Sequence, residues 1–133
     1  MATKIFVNLP VKKLDRSMAF FQHLGYTFNQ QFTDETAACM VISEDIYTML
    51  LTEPKFKEFT PKAIADTLTT CEVLVCLSCD SRAQVDELIG KAKAAGATLY
   101  AEAKDYGFMY QHSFQDLDGH QWELVWMDPA AVQ

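Results

Sequence analysis

The chain has 133 residues and a mass of 15.0 kDa; half of its residues are hydrophobic and 22% are charged. This composition is typical of one folded domain and excludes disordered and collagen-like chains. The net charge is −7, and the basic residues form no run longer than Lys12-Lys13, which argues against binding to nucleic acid or to an anionic membrane.

Helix and strand signals alternate along the first half of the chain. Residues 4–11 form a short apolar run typical of a strand, and residues 14–24 carry apolar side chains at helical spacing up to Gly25. Three further strands are predicted, over 26–32, 37–42 and 46–52. Residues 53–70 contain two prolines and are read as a connector, in which 62–68 could form a helical turn.

The second half repeats the same order. A strand is predicted over 72–79 and a helix over 81–95, where Ser81 and Gln84 form a capping box and Gly96 ends the helix. Strands follow at 98–101, 108–115 and 121–127. The pattern βαβββ therefore occurs twice, as module one (4–52) and module two (71–127) of a single domain.

The absence of an amino-terminal signal sequence and of a long apolar stretch leads us to expect a cytoplasmic protein. We expect its cysteines to be reduced and buried, because no secretion signal accompanies them. The Cys76-Leu77-Ser78-Cys79 pair lies on a predicted strand, where residues three apart point to opposite faces, so neither a redox pair nor a shared metal site is expected. The four cysteines are Cys39, Cys71, Cys76 and Cys79.

Two segments resemble a known family. The segment LPVKKLDRS (9–17), with Phe20-Phe21 and Leu24-Gly25-Tyr26 after it, resembles the opening of a vicinal oxygen chelate protein. The segment FQDLDGHQWEL (114–124) resembles the final hairpin of that superfamily, which includes glyoxalase I, bleomycin-resistance proteins and extradiol dioxygenases. The resemblance implies an α+β fold of two βαβββ modules that form an incomplete barrel, often as a homodimer.

The resemblance also implies three metal-ligand positions. The last-strand ligand falls on Glu123, which could also act as the catalytic base. The other two positions fall on Phe6 and Leu74, whose side chains have no lone pair to donate. One carboxylate does not hold a transition metal, so we expect no metal cofactor, although an altered ligand set with a divalent metal stays open as an alternative.

Strand parity extends the candidate pocket, since residues two apart share a face. Asn8 would share a face with Phe6, Glu72 with Leu74, and Gln121 with Glu123. On the penultimate strand, either Tyr110 and His112 or Gln111 and Ser113 face the pocket, and the sequence leaves this register open. His23 is expected to be exposed, and His120 is expected to order the turn before the last strand or to meet solvent.

These residues favour a protein that binds a small molecule in a barrel pocket without the usual metal centre. Two alternatives remain: a metal-dependent lyase or dioxygenase-like enzyme with an altered ligand set, using Glu72, Glu123 and possible help from His112, and an interaction module that uses an exposed sheet edge. The expected partners are a small-molecule ligand and a second copy of the chain, with no nucleic acid and no membrane.

Overall fold

The computed structural model describes residues 3–131, which fall into two compact units with their boundary between Asp66 and Thr67. The boundary lies inside the predicted connector. Each unit contains one four-stranded mixed sheet and one long helix, and each is described by itself.

The first unit contains β1 (Ile5–Val11), α1 (Leu14–His23), β2 (Thr27–Asn29), β3 (Ala37–Val41), β4 (Ile46–Thr52) and α2 (Glu53–Phe56). Its sheet has the strand order β1-β4-β3-β2, with β1 parallel to β4 and the other pairs antiparallel. Leu9 of β1 and Leu50 of β4 are buried register partners, and Phe20 and Phe21 of α1 meet edge to face at 4.9 Å.

The second unit contains β5 (Leu74–Ser78), α3 (Arg82–Ala94), β6 (Lys104–Asp105), β7 (Met109–Gln115) and β8 (Gln121–Met127). Its sheet repeats the arrangement of the first in the strand order β5-β8-β7-β6, with β5 parallel to β8. Three apolar side chains of α3 are buried, those of Val85, Ile89 and Ala92. Phe114 and Trp122 stack in the core of the unit with ring centroids 6.4 Å apart.

The α+β class and the repeated βαβββ order are confirmed, and both sheets are open. Three local predictions are wrong. The strand predicted at 26–32 ends at Asn29, because the Asn29 side chain accepts a hydrogen bond from the backbone N–H of Gln31 and starts a 3-10 turn. Residues 62–68 are not helical, and 98–101 contribute only an isolated bridge from Thr98 to Gln115.

No helix within residues 3–131 has both the length and the apolar character needed to cross a membrane.

Candidate functional site

The two faces of β8 have different neighbours. Trp122 and Leu124 are buried on the face covered by α3, as their alternation with polar residues predicts. Gln121 and Glu123 lie on the opposite face and are half-buried. The strand therefore holds a carboxylate on the sheet face that α3 does not cover.

Glu123 is flanked on both sides by neighbouring strands. Cys76 of β5 and Ser113 of β7 are its register partners. Gln111, two residues before Ser113 on the same face, donates a hydrogen bond from Nε2 to Oε2 of Glu123 at 2.9 Å. Within residues 3–131 no hydrogen bond to the other carboxylate oxygen, Oε1, is found. Gln111 thus orients the carboxylate and leaves one oxygen able to accept a hydrogen bond from a ligand.

Tyr100 adds a phenol beside this carboxylate. The pKa of Tyr100 is raised above its ordinary value, chiefly because its hydroxyl is partly buried. A hydrogen bond with the Ser113 side chain lowers this pKa, and the nearby charge of Glu123 raises it. The phenol therefore stays protonated near neutral pH and can donate or accept a hydrogen bond.

These side chains line a pocket of about 220 Å³ on the second sheet. Its charged residues are Glu102, Lys104 and Glu123, and none of them forms an ion pair with any residue in the described range. The lining residues are Leu74, Tyr100, Ala101, Glu102, Lys104, Gln111, Ser113, Gln121 and Glu123. Six of these nine side chains, not counting Tyr100, are polar or charged, so hydrogen bonds and charge would contribute more than apolar contact to holding a small molecule here.

Three of the predicted site residues meet in this pocket: Leu74, Gln121 and Glu123. The open register on β7 is resolved in favour of Gln111 and Ser113. Tyr110 and His112, named as ligand-binding candidates, lie on the opposite face with Trp126 and Leu124 as register partners.

The contacts of these two residues account for their placement. The Tyr110 hydroxyl donates to Asp86 Oδ1 of α3 at 2.6 Å, and the Nε2 atom of His112 lies 3.2 Å from the Ala101 carbonyl oxygen. Neither side chain is among those that line this pocket, and their role in ligand binding stays a prediction.

Glu72 is also not among the residues that line the pocket, and it lies two residues before the start of β5. Its Oε1 lies 2.9 Å from Nδ1 of His120, which is 3% exposed. His120 therefore does not meet solvent. The backbone N–H of His120 also donates to the buried carboxylate of Asp116, so this residue orders the β7–β8 turn, which was one of the two predicted alternatives.

Phe6 and Asn8 belong to the first unit. The Phe6 ring stacks on Tyr47 with centroids 4.9 Å apart, and both Phe6 and Asn8 are exposed on the edge strand β1. Their role in ligand binding stays a prediction.

The four cysteines are free thiols. Cys39 is buried as predicted and Cys79 is half-buried, but Cys71 and Cys76 are exposed, so the prediction of burial is wrong for those two. Local burial of the Cys76 sulfur and the adjacent Glu123 charge raise its thiol pKa although the residue as a whole is exposed. A raised pKa keeps the thiol protonated and weakly nucleophilic.

The donor set does not fit the divalent metal that the superfamily resemblance implies. One oxygen of Glu123 already accepts the Gln111 amide, its neighbours Ser113 and Gln121 are neutral, and Lys104 brings a positive charge to the pocket. Residues 3–131 contain no group of three or more His, Cys, Asp or Glu side chains placed to hold a metal ion. Open catalytic sites for zinc and related metals use three protein ligands.

Sequence reasoning missed Tyr100, Glu102 and Lys104 as lining residues. Tyr100 was assigned to a strand that does not form, and Lys104 lies on the two-residue strand β6, which has no periodic signal. Gln111 and Ser113 were one of two open alternatives.

Comparisons with known proteins agree with this fold. A family model described as bleomycin resistance protein-like N-terminal matches residues 3–43. Among solved structures, a hypothetical protein from S. aureus is 26% identical, with a TM-score of 0.79 and 94% of each chain covered. A comparison with curated proteins gave no match.

Two further solved structures have names that state a family or an activity. A glyoxalase/bleomycin resistance protein/dioxygenase family enzyme from Burkholderia phytofirmans is 17% identical, with a TM-score of 0.78, and the match covers 95% of this chain and 99% of that one. A genomically encoded fosfomycin resistance protein from Listeria monocytogenes is 20% identical, with a TM-score of 0.67 and coverage of 94% and 90%. The repeated βαβββ order, the family-model match over residues 3–43 and these likenesses support the resemblance to the vicinal oxygen chelate superfamily, and the solved structures show that the chain has the same fold.

Proposed function

We propose that this protein binds a small organic molecule in the pocket of its second sheet, without a three-ligand metal centre. The observation that carries the proposal is the half-buried Glu123 carboxylate, which Gln111 fixes through one oxygen while the other has no partner within residues 3–131. A carboxylate oriented in this way, beside hydroxyl and amide groups, suits a ligand with an N–H or O–H donor.

The expected strength of this contact follows from its charge. Hydrogen bonds to a charged group contribute about 1.5–3 kcal/mol, roughly twice the contribution of neutral ones. Leu74 and Tyr100 supply apolar surface around the donor group of the ligand. The ligand would thus be held by one charge-assisted bond and by contact with two larger side chains.

The first prediction concerns Glu123→Gln, which keeps the size of the side chain and removes its charge. We expect ligands found by an NMR screen of small polar compounds to bind this variant about tenfold more weakly, the effect of losing about 1.4 kcal/mol. Bleomycin and fosfomycin belong in the screen because the names of the matching family and of one similar structure include them. Binding is read from the amide resonances of Gln111, Ser113 and Glu123.

The matched control is Glu87→Gln on α3, which removes the same charge from an exposed residue whose ion-pair partner is Lys91. This variant should bind as the wild type does. Equal binding by the wild type and by Glu123→Gln would show that Glu123 has no role in recognition.

The second prediction concerns the metal. Protein purified without chelators and without a His-tag is expected to contain far less than one equivalent of Zn, Ni, Mn or Fe by elemental analysis, because the donor set is incomplete. A near-stoichiometric metal that Glu123→Gln removes would overturn the proposal in favour of the metal-dependent enzyme.

A further inference from the structure

The charges of the pocket have opposite signs and lie on one face of the sheet. Lys104 of β6 pairs with Gln111 of β7, and Ser113, on the same face two residues further on, pairs with Glu123 of β8. Register partners and residues two apart share a face, so Lys104 and Glu123 do as well. Neither forms an ion pair within the described chain.

The spacing between these charges follows from sheet geometry. Two strand separations of about 4.8 Å and two residue rises of about 3.4 Å put the α-carbons of Lys104 and Glu123 roughly 12 Å apart. Both side chains line the pocket, and Gln111 lies on the strand between theirs. Lys104 and Glu123 therefore lie on the two strands that flank Gln111, and a second carboxylate, Glu102, lines the pocket two residues before Lys104.

The pair formed by Gln111 and Glu123 offers two acceptors. Gln111 uses its Nε2 group to bind Oε2 of Glu123, so the Gln111 amide oxygen and Oε1 of the carboxylate are two further acceptors in the same lining. A guanidinium group presents parallel N–H donors in a plane and can bond two such oxygens together. Glu102, a second carboxylate in the lining, adds to the attraction for a cation.

This inference rests on the proposed function: we propose that the pocket selects zwitterionic molecules, whose guanidinium-like cationic group binds Glu123 and Gln111 and whose anionic group lies toward Lys104. A molecule with only the anion meets the repulsion of Glu102 and Glu123. A molecule with only the cation leaves the Lys104 charge unpaired.

Calorimetric titration with three probes of similar size tests this selection: 4-guanidinobutyrate, butylguanidine and valerate. In low-salt buffer we expect 4-guanidinobutyrate to bind tightest. Butylguanidine should bind about threefold more weakly, because it lacks the carboxylate that pairs with Lys104 and a solvent-exposed ion pair contributes little. Valerate should bind at least tenfold more weakly than 4-guanidinobutyrate. Binding of valerate equal to that of 4-guanidinobutyrate would overturn the proposal.

Two substitutions separate the contribution of Lys104 to binding from that of Glu123. Lys104→Met should make the two guanidines bind equally, whereas Lys93→Met, an exposed lysine on α3, should keep the threefold preference. Glu123→Gln should weaken both guanidines at least tenfold. If Lys104→Met keeps the preference, the inference is wrong.

The compound screen distinguishes this failure from failure of the proposed function. If other compounds shift the resonances of Gln111, Ser113 and Glu123 but none of the three probes binds, selection of zwitterions is wrong and small-molecule binding stands. If neither the screen nor the probes give binding in the pocket, both proposals fall.

Discussion

Gly119 lies so close to Thr67 that only glycine fits at this position. Its φ is +86°, and a Cβ there would meet the Cβ of Thr67 at 2.7 Å and the Thr67 carbonyl oxygen at 3.1 Å. The Thr67 hydroxyl also donates to the Asp118 carbonyl at 2.6 Å. These contacts hold the segment before β5 against the β7–β8 turn.

Gly119→Ala should therefore destabilise the protein more than a substitution that adds backbone strain alone. Gly25 supplies the comparison, because its φ is +106° and a Cβ added there would meet no atom of the described chain within 4 Å. We expect Gly25→Ala to lower the free energy of unfolding by about 1 kcal/mol and Gly119→Ala by roughly 2–4 kcal/mol. Urea unfolding of the two variants measures the difference, and equal losses would mean that Thr67 moves aside without cost.

Asp116 shows how a single residue sets the register of a hairpin. Its Oδ1 accepts the backbone N–H groups of Asp118 and His120, and its Oδ2 accepts Nε1–H of Trp122 at 3.0 Å. Because these bonds fix the turn, Gln115 pairs with Gln121 and Ser113 with Glu123. This turn places Gln111 and Ser113, and not Tyr110 and His112, on the pocket face.

Helices and strands were predicted most accurately where the local sequence marks their ends. The start of α3 was predictable because the Ser81 side chain accepts the Gln84 N–H, and its end because Gly96 adopts a positive φ. The pocket-facing side of β7 was not predictable, because its apolar residues, Met109, Tyr110 and Phe114, are divided between the two faces of the strand. The alternation of apolar and polar residues identifies the buried face of a strand only when the residues that point to the other face are polar.

The short strand β6 depends on contacts distant in sequence. Arg82 of α3 donates to Asp105 Oδ2 at 2.6 Å and to the Gly107 carbonyl at 2.9 Å, and its guanidinium lies 5.3 Å above the Tyr110 ring. The positions before Tyr110 have no strand period of their own. No local pattern could therefore have predicted β6, or Lys104 as a pocket residue.

The same contact has a defined pH dependence. The Arg82 hydrogen bond, followed by the Gly107 N–H, lowers the pKa of Asp105 below its ordinary value of 3.8. An acid whose pKa falls on folding stabilises the folded state above the unfolded value, and this stabilisation is lost as the pH falls through the lowered pKa. The contact should therefore be fully formed near neutral pH and weaken in acid.

Asp105→Asn tests this dependence. The urea midpoint of the variant should lie below that of the wild type at neutral pH, and the difference should shrink as the pH falls below 3.8, where the wild type loses the same charge. Asp80→Asn, at another exposed carboxylate of the second unit, controls for net charge. A difference between Asp105→Asn and wild type that stays constant with pH would contradict the assignment.

Both sheets end in an edge strand with exposed apolar side chains. β1 is an edge of the first sheet, where Ile5 is 53% exposed, and β5 is an edge of the second, where Leu74 is 53% exposed. Unpaired edges with apolar side chains favour association with another chain unless they are covered. Such a surface is consistent with the homodimer expected from the sequence.

We therefore expect light scattering on a sizing column to give about twice the chain mass of 15.0 kDa at micromolar concentration. Ile5→Lys places a charge on the exposed edge and should shift the protein toward the monomer mass, because burying an unpaired lysine in an interface is unfavourable. Phe59→Lys is the control, since Phe59 is exposed in the connector and belongs to no strand. A wild-type mass of one chain at every concentration would refute the dimer. A dimer unaffected by Ile5→Lys would place the interface on a surface other than β1.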